Sequence, residues 1–337
     1  MKRPYYLFNG GTMSRKDNTL CFVNDVPDEN GEKKPPKYIP IETASELFVF
    51  GALNVNAALL TYLGQQSVAV HFFDYYEHYT GSFMPKEYLL AGKMQIEQTK
   101  AYLSPTRRLA IAQAFIEGAS FNMLKNLRYY DRRGRDMEPL IEQIENYRIS
   151  LPLSKTVPEL MGLEGNCRQT YYAAFDLIIN DFEMGNRSKQ PPSNEVNALI
   201  SFGNMLCYTL ALDQIYHSQL NPTISFLHEP GARRYSLALD VAEVFKPLLV
   251  DRMIFKLLNK KEIREQHFDK NFNGCRLNDA GRKIVVREWD ERLKETIKHR
   301  TLGRNVSYKH LVKLECYKLQ RFILGIDEAY KPFKIYW

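Results

Sequence analysis

Three short stretches of this 337-residue chain carry residues whose types and spacing suit chemistry. In Leu160-Met161-Gly162-Leu163-Glu164-Gly165-Asn166, a carboxylate stands among glycines and hydrophobic residues. It is read as lying just ahead of a helix, where the helix dipole would keep it ionised and fit to ligate a cation. Taken alone it would pass for an exposed loop glutamate, the commoner fate of a charged residue. In Ile224-Ser225-Phe226-Leu227-His228-Glu229-Pro230-Gly231, the imidazole of His228 ends an apolar run at a Pro-Gly turn, so it should be fixed but reachable. A hydrogen-bonded structural histidine is the plainer alternative. In the stretch 236–248, Asp240 and Glu243 fall at i and i+3 on one face of an expected helix. Leu239, Val244 and Phe245 beside them argue against a freely solvated acidic stripe, and two buried like charges need a cation close by.

Oxygen ligands with one imidazole and no thiolate suit Mn²⁺ or Mg²⁺ better than a structural zinc. Such an ion polarises a phosphoryl oxygen and activates a hydroxyl or water for in-line attack, which points to phosphodiester chemistry. Arg233 and Arg234, between His228 and the carboxylates, are placed to hold phosphates, or equally to steady a loop. Asn9-Gly10-Gly11 leads into nothing resembling a phosphate-binding glycine loop, and no Ser-centred nucleophile elbow occurs.

The elements that must position these residues change character along the chain. Short β-branched and aromatic segments, Leu20 to Val23, Tyr38 to Ile41, Leu47 to Phe50, Val68 to Phe73 and the run near Tyr79, read as strands. One helix intervenes, capped by Asn54 or Asn56. After Pro85, 3.6-residue periodicity takes over and predicts helices over 88–103, 108–129, 137–147, 168–182, 195–212, 236–258, 279–299 and 308–324, with loops at 186–193 and 218–231. The fold class expected is α+β: a small N-terminal β-rich domain over 1–84, then a larger, all-helical catalytic domain over 85–337. The apolar run 196–212 is interrupted by Asn197, Ser201, Gly203 and Asn204, so it reads as a buried helix and not a membrane span.

Net charge is +7, unevenly spread. Residues 252–337 hold 21 Lys/Arg against 11 Asp/Glu, leaving the remainder slightly acidic. The asymmetry suggests an anionic partner, nucleic acid before membrane, although a solvated helical surface would show the same count. Five cysteines without a CxxC pair fit a reducing cytoplasm, and no apolar segment follows the basic start to suggest secretion.

The ordered series Met161-Gly162-Leu163-Glu164-Gly165-Asn166, Pro191-Pro192-Ser193-Asn194-Glu195 to Gly203, Phe226-Leu227-His228-Glu229-Pro230-Gly231, then Ser236-Leu237-Ala238-Leu239-Asp240-Val241-Ala242-Glu243 and Lys246-Pro247-Leu248-Leu249-Val250-Asp251-Arg252 resembles the core integrase of CRISPR spacer adaptation, of a type I system. The resemblance includes Pro40-Ile41-Glu42 and His71-Phe72-Phe73-Asp74 and covers nearly the whole chain. It implies a Mn²⁺ or Mg²⁺ site of Glu164, His228 and Glu243, with Asp240 as an additional catalytic carboxylate. It also implies a homodimer that embraces a small second adaptation protein, assisted by an end-processing nuclease. Such an enzyme cuts DNA and joins 3′-hydroxyls of a short fragment to an array by transesterification. Arg168, Arg233, Arg234, Lys294, Lys298 and Arg300 are the expected DNA contacts, the last three on one helix. One departure is Asn204 where relatives carry an aromatic residue; Asn197, Ser201 and Asn204 then share a face, read as a polar seam between helices. A free-standing structure-selective nuclease and a non-catalytic nucleic-acid scaffold remain as alternatives, the second disfavoured by a buried acidic pair.

Overall fold

A computed structural model describes residues 2–27, 32–74, 76–85, 91–189, 191–231, 234–271 and 274–336. The chain divides into two compact units, Met1–Tyr88 and Leu89–Trp337.

The first unit contains β1 (Arg3–Leu7), β2 (Gly11–Lys16), β3 (Thr19–Asn24), β4 (Lys37–Pro40), β5 (Ala44–Val49), β6 (Leu53–Asn54), α1 (Ala57–Gln65), β7 (Ala69–Phe73) and β8 (Tyr79–Phe83). One sheet has the order β1-β5-β7-β8 and the other β4-β3-β2-β6. In the first, β1, β5 and β7 are parallel and β8 returns antiparallel. Alternation along these strands sends Tyr5, Leu7, Leu47, Val49 and Val70 into the core, which Met13, Leu20, Phe22, Leu59 and Leu63 complete. Intervening residues make an aromatic face, with Tyr6 on Phe48 at 4.8 Å and Phe50 on Phe73 at 4.6 Å between ring centroids. Asn56, not Asn54, caps α1, its side chain accepting from the Leu59 N–H. The sequence reading missed β1 and β2, whose Pro4, Gly11 and charged residues blur the strand pattern.

The second unit contains α2 (Gly92–Leu103), α3 (Pro105–Asp131), α4 (Glu138–Ser150), α5 (Val157–Ala173), α6 (Phe175–Ile178), α7 (Glu195–Tyr216), α8 (Ser236–Lys246) and α9 (Arg252–Asn259). It continues with β9 (Phe268–Asn271), β10 (Gly274–Leu277), α10 (Asp279–Lys294), β11 (Thr296–Lys298), β12 (Asn305–Ser307) and α11 (Tyr308–Ile323). The expected start of α2 at Tyr88-Leu89 lies outside the described residues. The unit is not all-helical: β9 pairs with β10 and β11 with β12, both antiparallel. The helix expected over 279–299 ends at Lys294, where β-branched Thr296 and Ile297 take up extended backbone opposite Val306 and Ser307. No helix among the described residues is long and apolar enough to cross a membrane, and all five cysteines are buried and unpaired.

The single helix expected over 236–258 is also broken. Pro247 has no N–H to continue the ladder, and Pro247–Asp251 form one wide π turn between α8 and α9. Carbonyls loosened by the break are met from outside. Asn122 donates to the Val244 carbonyl at 2.9 Å, Asn126 to that of Pro247 at 2.7 Å, and the Arg292 guanidinium to that of Leu248 at 2.9 and 3.0 Å. α7 lies so close to this turn that a Cβ on Gly203 would stand 2.5 Å from Cγ1 of Val250. We therefore expect Gly203→Ala to cost about 1–3 kcal/mol, the usual penalty of overpacking. It should be read as a lowered urea midpoint with unchanged slope; an unchanged midpoint would mean that the two elements slide apart at no cost.

Candidate active site

Glu164 lies in the middle of α5, not ahead of a helix. The helix starts where Thr156 accepts from the Glu159 N–H, with Pro158 in its first turn and the Glu159 carboxylate accepting from the Lys155 N–H at 2.9 Å. These signals were legible, but Gly162 and Gly165 drew the reading away from them. Dipole stabilisation is thus the wrong cause. What holds Glu164 is one turn on, at i+4: its carboxylate accepts from Nε of Arg168 at 2.8 Å.

The other guanidinium arm of Arg168 donates to Glu243 on α8, and so joins α5 to α8 through two carboxylates. Lys246, at i+3 on α8, donates to the second oxygen of Glu243. Burial works against ionisation of Glu243, but the charges of Arg168 and Lys246 outweigh it and hold the carboxyl down at about 2. Arg168, expected among the DNA contacts, is mostly buried and spends its hydrogen bonds on these carboxylates. Lys246 was quoted within a motif without a role, although its position at i+3 from Glu243 was the available signal.

Asp240 faces the loop before α8. It is fully buried, and its oxygens accept from the N–H groups of Phe226 at 2.7 Å, Leu227 at 3.0 Å and His228 at 3.0 Å. It also contacts Nδ1 of His228 at 2.7 Å. The ring nitrogen facing a carboxylate takes the proton, so Nε2 is the nitrogen available to a ligand. Burial opposes the charged imidazole, yet Asp240, with Glu243 behind it, raises the His228 pKa above the ordinary value. Arg108 braces the same loop, donating to the Phe226 carbonyl at 3.0 Å and pairing with Glu229 at 2.6 Å.

The structure therefore joins Glu164 to Glu243 through Arg168, joins His228 to Asp240, and sets the two pairs within electrostatic reach of each other on α5, α8 and the loop between α7 and α8. Glu164, Glu243 and the free nitrogen of His228 have the donor chemistry that suits Mn²⁺ or Mg²⁺, but Arg168 stands between the two carboxylates and the three ligand atoms are not gathered within 4.8 Å of one another. Behind them lies Asp251, quoted in the sequence motif without a role: burial pushes its carboxyl up to about 7 despite Arg168 and Tyr171, and its Oδ2 finds no hydrogen-bond partner.

The remaining expected contacts are dispersed. Arg233 lies outside the described residues. Arg234 is exposed, its guanidinium 5.3 Å from the centroid of the Tyr235 ring. Lys294 ends α10, Lys298 ends β11 and Arg300 sits in the following turn, so the three share no helix. The polar seam on α7 joins a loop, not a second helix. Asn197 accepts from Arg187 at 2.9 Å and from the Ser188 N–H at 3.0 Å, and Ser201 accepts from Arg187 at 3.1 Å.

Comparison with known proteins identifies the family. The family described as CRISPR associated protein Cas1 matches residues 5–291. A CRISPR-associated endonuclease Cas1 of Fusobacterium nucleatum is 47% identical over all of this chain and 98% of its own length. Another from Pyrococcus horikoshii is 37% identical over 98% of each chain. The solved structure of a Cas1 protein from Thermotoga maritima superposes with a TM-score of 0.85 at 37% identity, covering 97% of this chain and 98% of that one. A casposase bound to its integration product shares the fold, with a TM-score of 0.84 at 20% identity over 100% and 95% of the two chains.

The charge network makes a pH prediction. The depressed Glu243 pKa stabilises the fold above the ordinary glutamate value of 4.5, and that contribution is lost as pH falls towards about 2. Glu243→Gln should thus be less stable than wild type at neutral pH, with the gap closing between those two values. Chemical denaturation across pH in the presence of a chelator measures it, and a gap independent of pH would contradict the pairing.

Proposed function

This chain belongs to the CRISPR-associated Cas1 protein family, and from that premise we propose that it is a metal-dependent DNA endonuclease and integrase inserting short fragments as new spacers into a CRISPR array. The observation that carries the reading is the convergence of Glu164 and Glu243 on Arg168, beside a histidine whose Nδ1 is held by Asp240 so that Nε2 is left for a ligand. Curated relatives bear the name endonuclease.

Glu164, Glu243 and Nε2 of His228 would hold Mn²⁺ or Mg²⁺, which supplies Lewis-acid polarisation of the scissile phosphate. The chain's own residues set the stage for that chemistry. Arg168 and Lys246 keep Glu243 ionised, so that it remains an anionic ligand down to acid pH. Asp240 keeps the Nδ1 proton in place and prevents the ring from turning. A strand 3′-hydroxyl as nucleophile gives joining, and water gives cleavage. The fold is shared with part of a chain of a Cas6-RT-Cas1–Cas2 complex, a TM-score of 0.82 at 17% identity over all of this chain and 36% of that one. That likeness of fold supports a small second adaptation protein as partner; homodimerisation through the β-rich first unit belongs to the same proposal.

The test is strand joining with the purified partner, a supercoiled array plasmid and a short duplex. Chelation should stop the reaction and Mn²⁺ or Mg²⁺ restore it, whereas restoration by Zn²⁺ alone would refute hard-cation chemistry. Glu164→Ala, His228→Ala and Glu243→Ala should each abolish joining and cleavage, their effects not adding because they act as one unit. Asp240→Asn, one step removed from the ion, should weaken metal affinity about 10–100-fold. Single variants with near-normal rates at saturating Mn²⁺ would disprove the assignment, and cut products without joined ones would favour a free-standing nuclease. Light scattering should give twice the mass of the chain; a monomer across micromolar concentrations would remove the dimer.

A further inference from the structure

Arg168 stands where a cation shared by two carboxylates would stand. Its Nε donates to Glu164 at 2.8 Å and a terminal nitrogen donates to Glu243, so one guanidinium bridges both. The other oxygen of Glu243 accepts from Lys246. A dication approaching Glu243 therefore meets a positive side chain on each oxygen, and one of the two must give way.

Asp251 has what a displaced side chain needs. It ends the π turn, is 2% exposed, and its Oδ2 has no hydrogen-bond partner. A buried carboxylate oxygen left without a partner calls for a reason. The carboxyl is anchored by the Tyr171 hydroxyl, which itself accepts from Asn126 at 2.8 Å. Arg168 and Tyr171 lie at i and i+3 on one face of α5, which puts the anchored carboxyl beside the arginine. Burial holds Asp251 up at about 7 against the charge of Arg168, which acts on it more strongly than that of Lys246. Arg187 is also within electrostatic reach, but it is committed to Asn197 at 2.9 Å and Ser201 at 3.1 Å. The polar seam of α7 thus keeps that guanidinium off Asp251.

We propose that Arg168 and the metal ion compete for Glu164 and Glu243, and that Asp251 takes up the guanidinium when the ion displaces it. This rests on the reading of Glu164, Glu243 and His228 as a metal site. Asp251 is then a positioning residue that acts through Arg168. The exchange leaves no buried charge unpaired in either arrangement, whereas a displaced guanidinium without an acceptor would be costly. The ion shifts the balance only by the difference in its affinity for the two arrangements, so metal affinity reads the exchange directly.

The experiment is a double-mutant cycle on Mn²⁺ affinity. Free Mn²⁺ is followed by electron paramagnetic resonance at fixed pH, and each protein is melted with and without the ion. Arg168→Gln should bind Mn²⁺ at least about fivefold more tightly than wild type, because a competitor is gone. Without the ion it should melt lower than wild type, and it should gain more on binding. Asp251→Asn should weaken Mn²⁺ binding about 10–100-fold when Arg168 is present. In the Arg168→Gln background the same change should shift affinity by no more than about twofold. Equal losses in both backgrounds would make Asp251 merely structural and overturn the exchange. Weaker binding by Arg168→Gln also overturns it, since the arginine would then be a scaffold for the ligands. If that variant does not fold, Arg168→Lys replaces it, keeping the charge without the fork that bridges both carboxylates, and the same outcomes decide. Non-additivity of Asp251→Asn with Lys246→Gln alone would assign the exchange to the lysine and refute the proposal. A cycle that follows the expected pattern in a protein that neither cuts nor joins DNA would leave the exchange standing and remove the enzymatic reading. Absence of Mn²⁺ binding in wild type and every variant would remove the metal site and the exchange together.

Discussion

Two carboxylates buried three residues apart on α8 are the constraint around which the second unit is organised. Neither can lie in the interior uncompensated, because an unpaired buried charge costs several kcal/mol. The chain answers each differently. Asp240 is compensated by backbone, drawing three successive N–H groups of the preceding loop and the imidazole of His228 onto itself. Glu243 is compensated by side chains, Arg168 from α5 and Lys246 from its own helix. The first answer folds the loop that presents the histidine. The second brings α5, with Glu164, to the same place. Each of the two compensations thus positions a different part of the candidate site.

Much of this was legible in the sequence, for reasons that can be named. The i, i+3 spacing of Asp240 and Glu243 within apolar neighbours announced a shared buried face, and the Pro230-Gly231 turn marked the end of the histidine loop. Strands β3, β5 and β7 announced themselves by β-branched and aromatic content. The failures share a cause as well. Gly162 and Gly165 suggested a loop, yet α5 runs through both because its cap at Thr156 and its packing decide the matter. A periodic pattern ran past Lys294, where local extended preference and pairing with β12 win. Propensity sees neighbours in sequence; these outcomes were set by neighbours in space.

The same limitation explains the misplaced charge. A tally along the chain weights the last quarter, where many lysines and arginines are answered by carboxylates such as Glu288, Glu295 and Asp327. What matters electrostatically is the residue of charge left after local pairing, a quantity only the folded chain defines.

The interruption at Pro247 bears on how such a site can be transplanted. Val244, Pro247 and Leu248 each surrender a carbonyl to a different anchor, two from α3 and one from α10. The helix bearing Glu243 and Lys246 is in effect surveyed from fixed stations on other segments, so its placement is not written in its own residues. A graft of residues 236–251 into another scaffold would carry Asp240, Glu243 and Lys246 and none of their alignment. Chimeras between relatives should tolerate exchange of this stretch only when α3 and α10 travel with it, which makes the three helices one inheritable block.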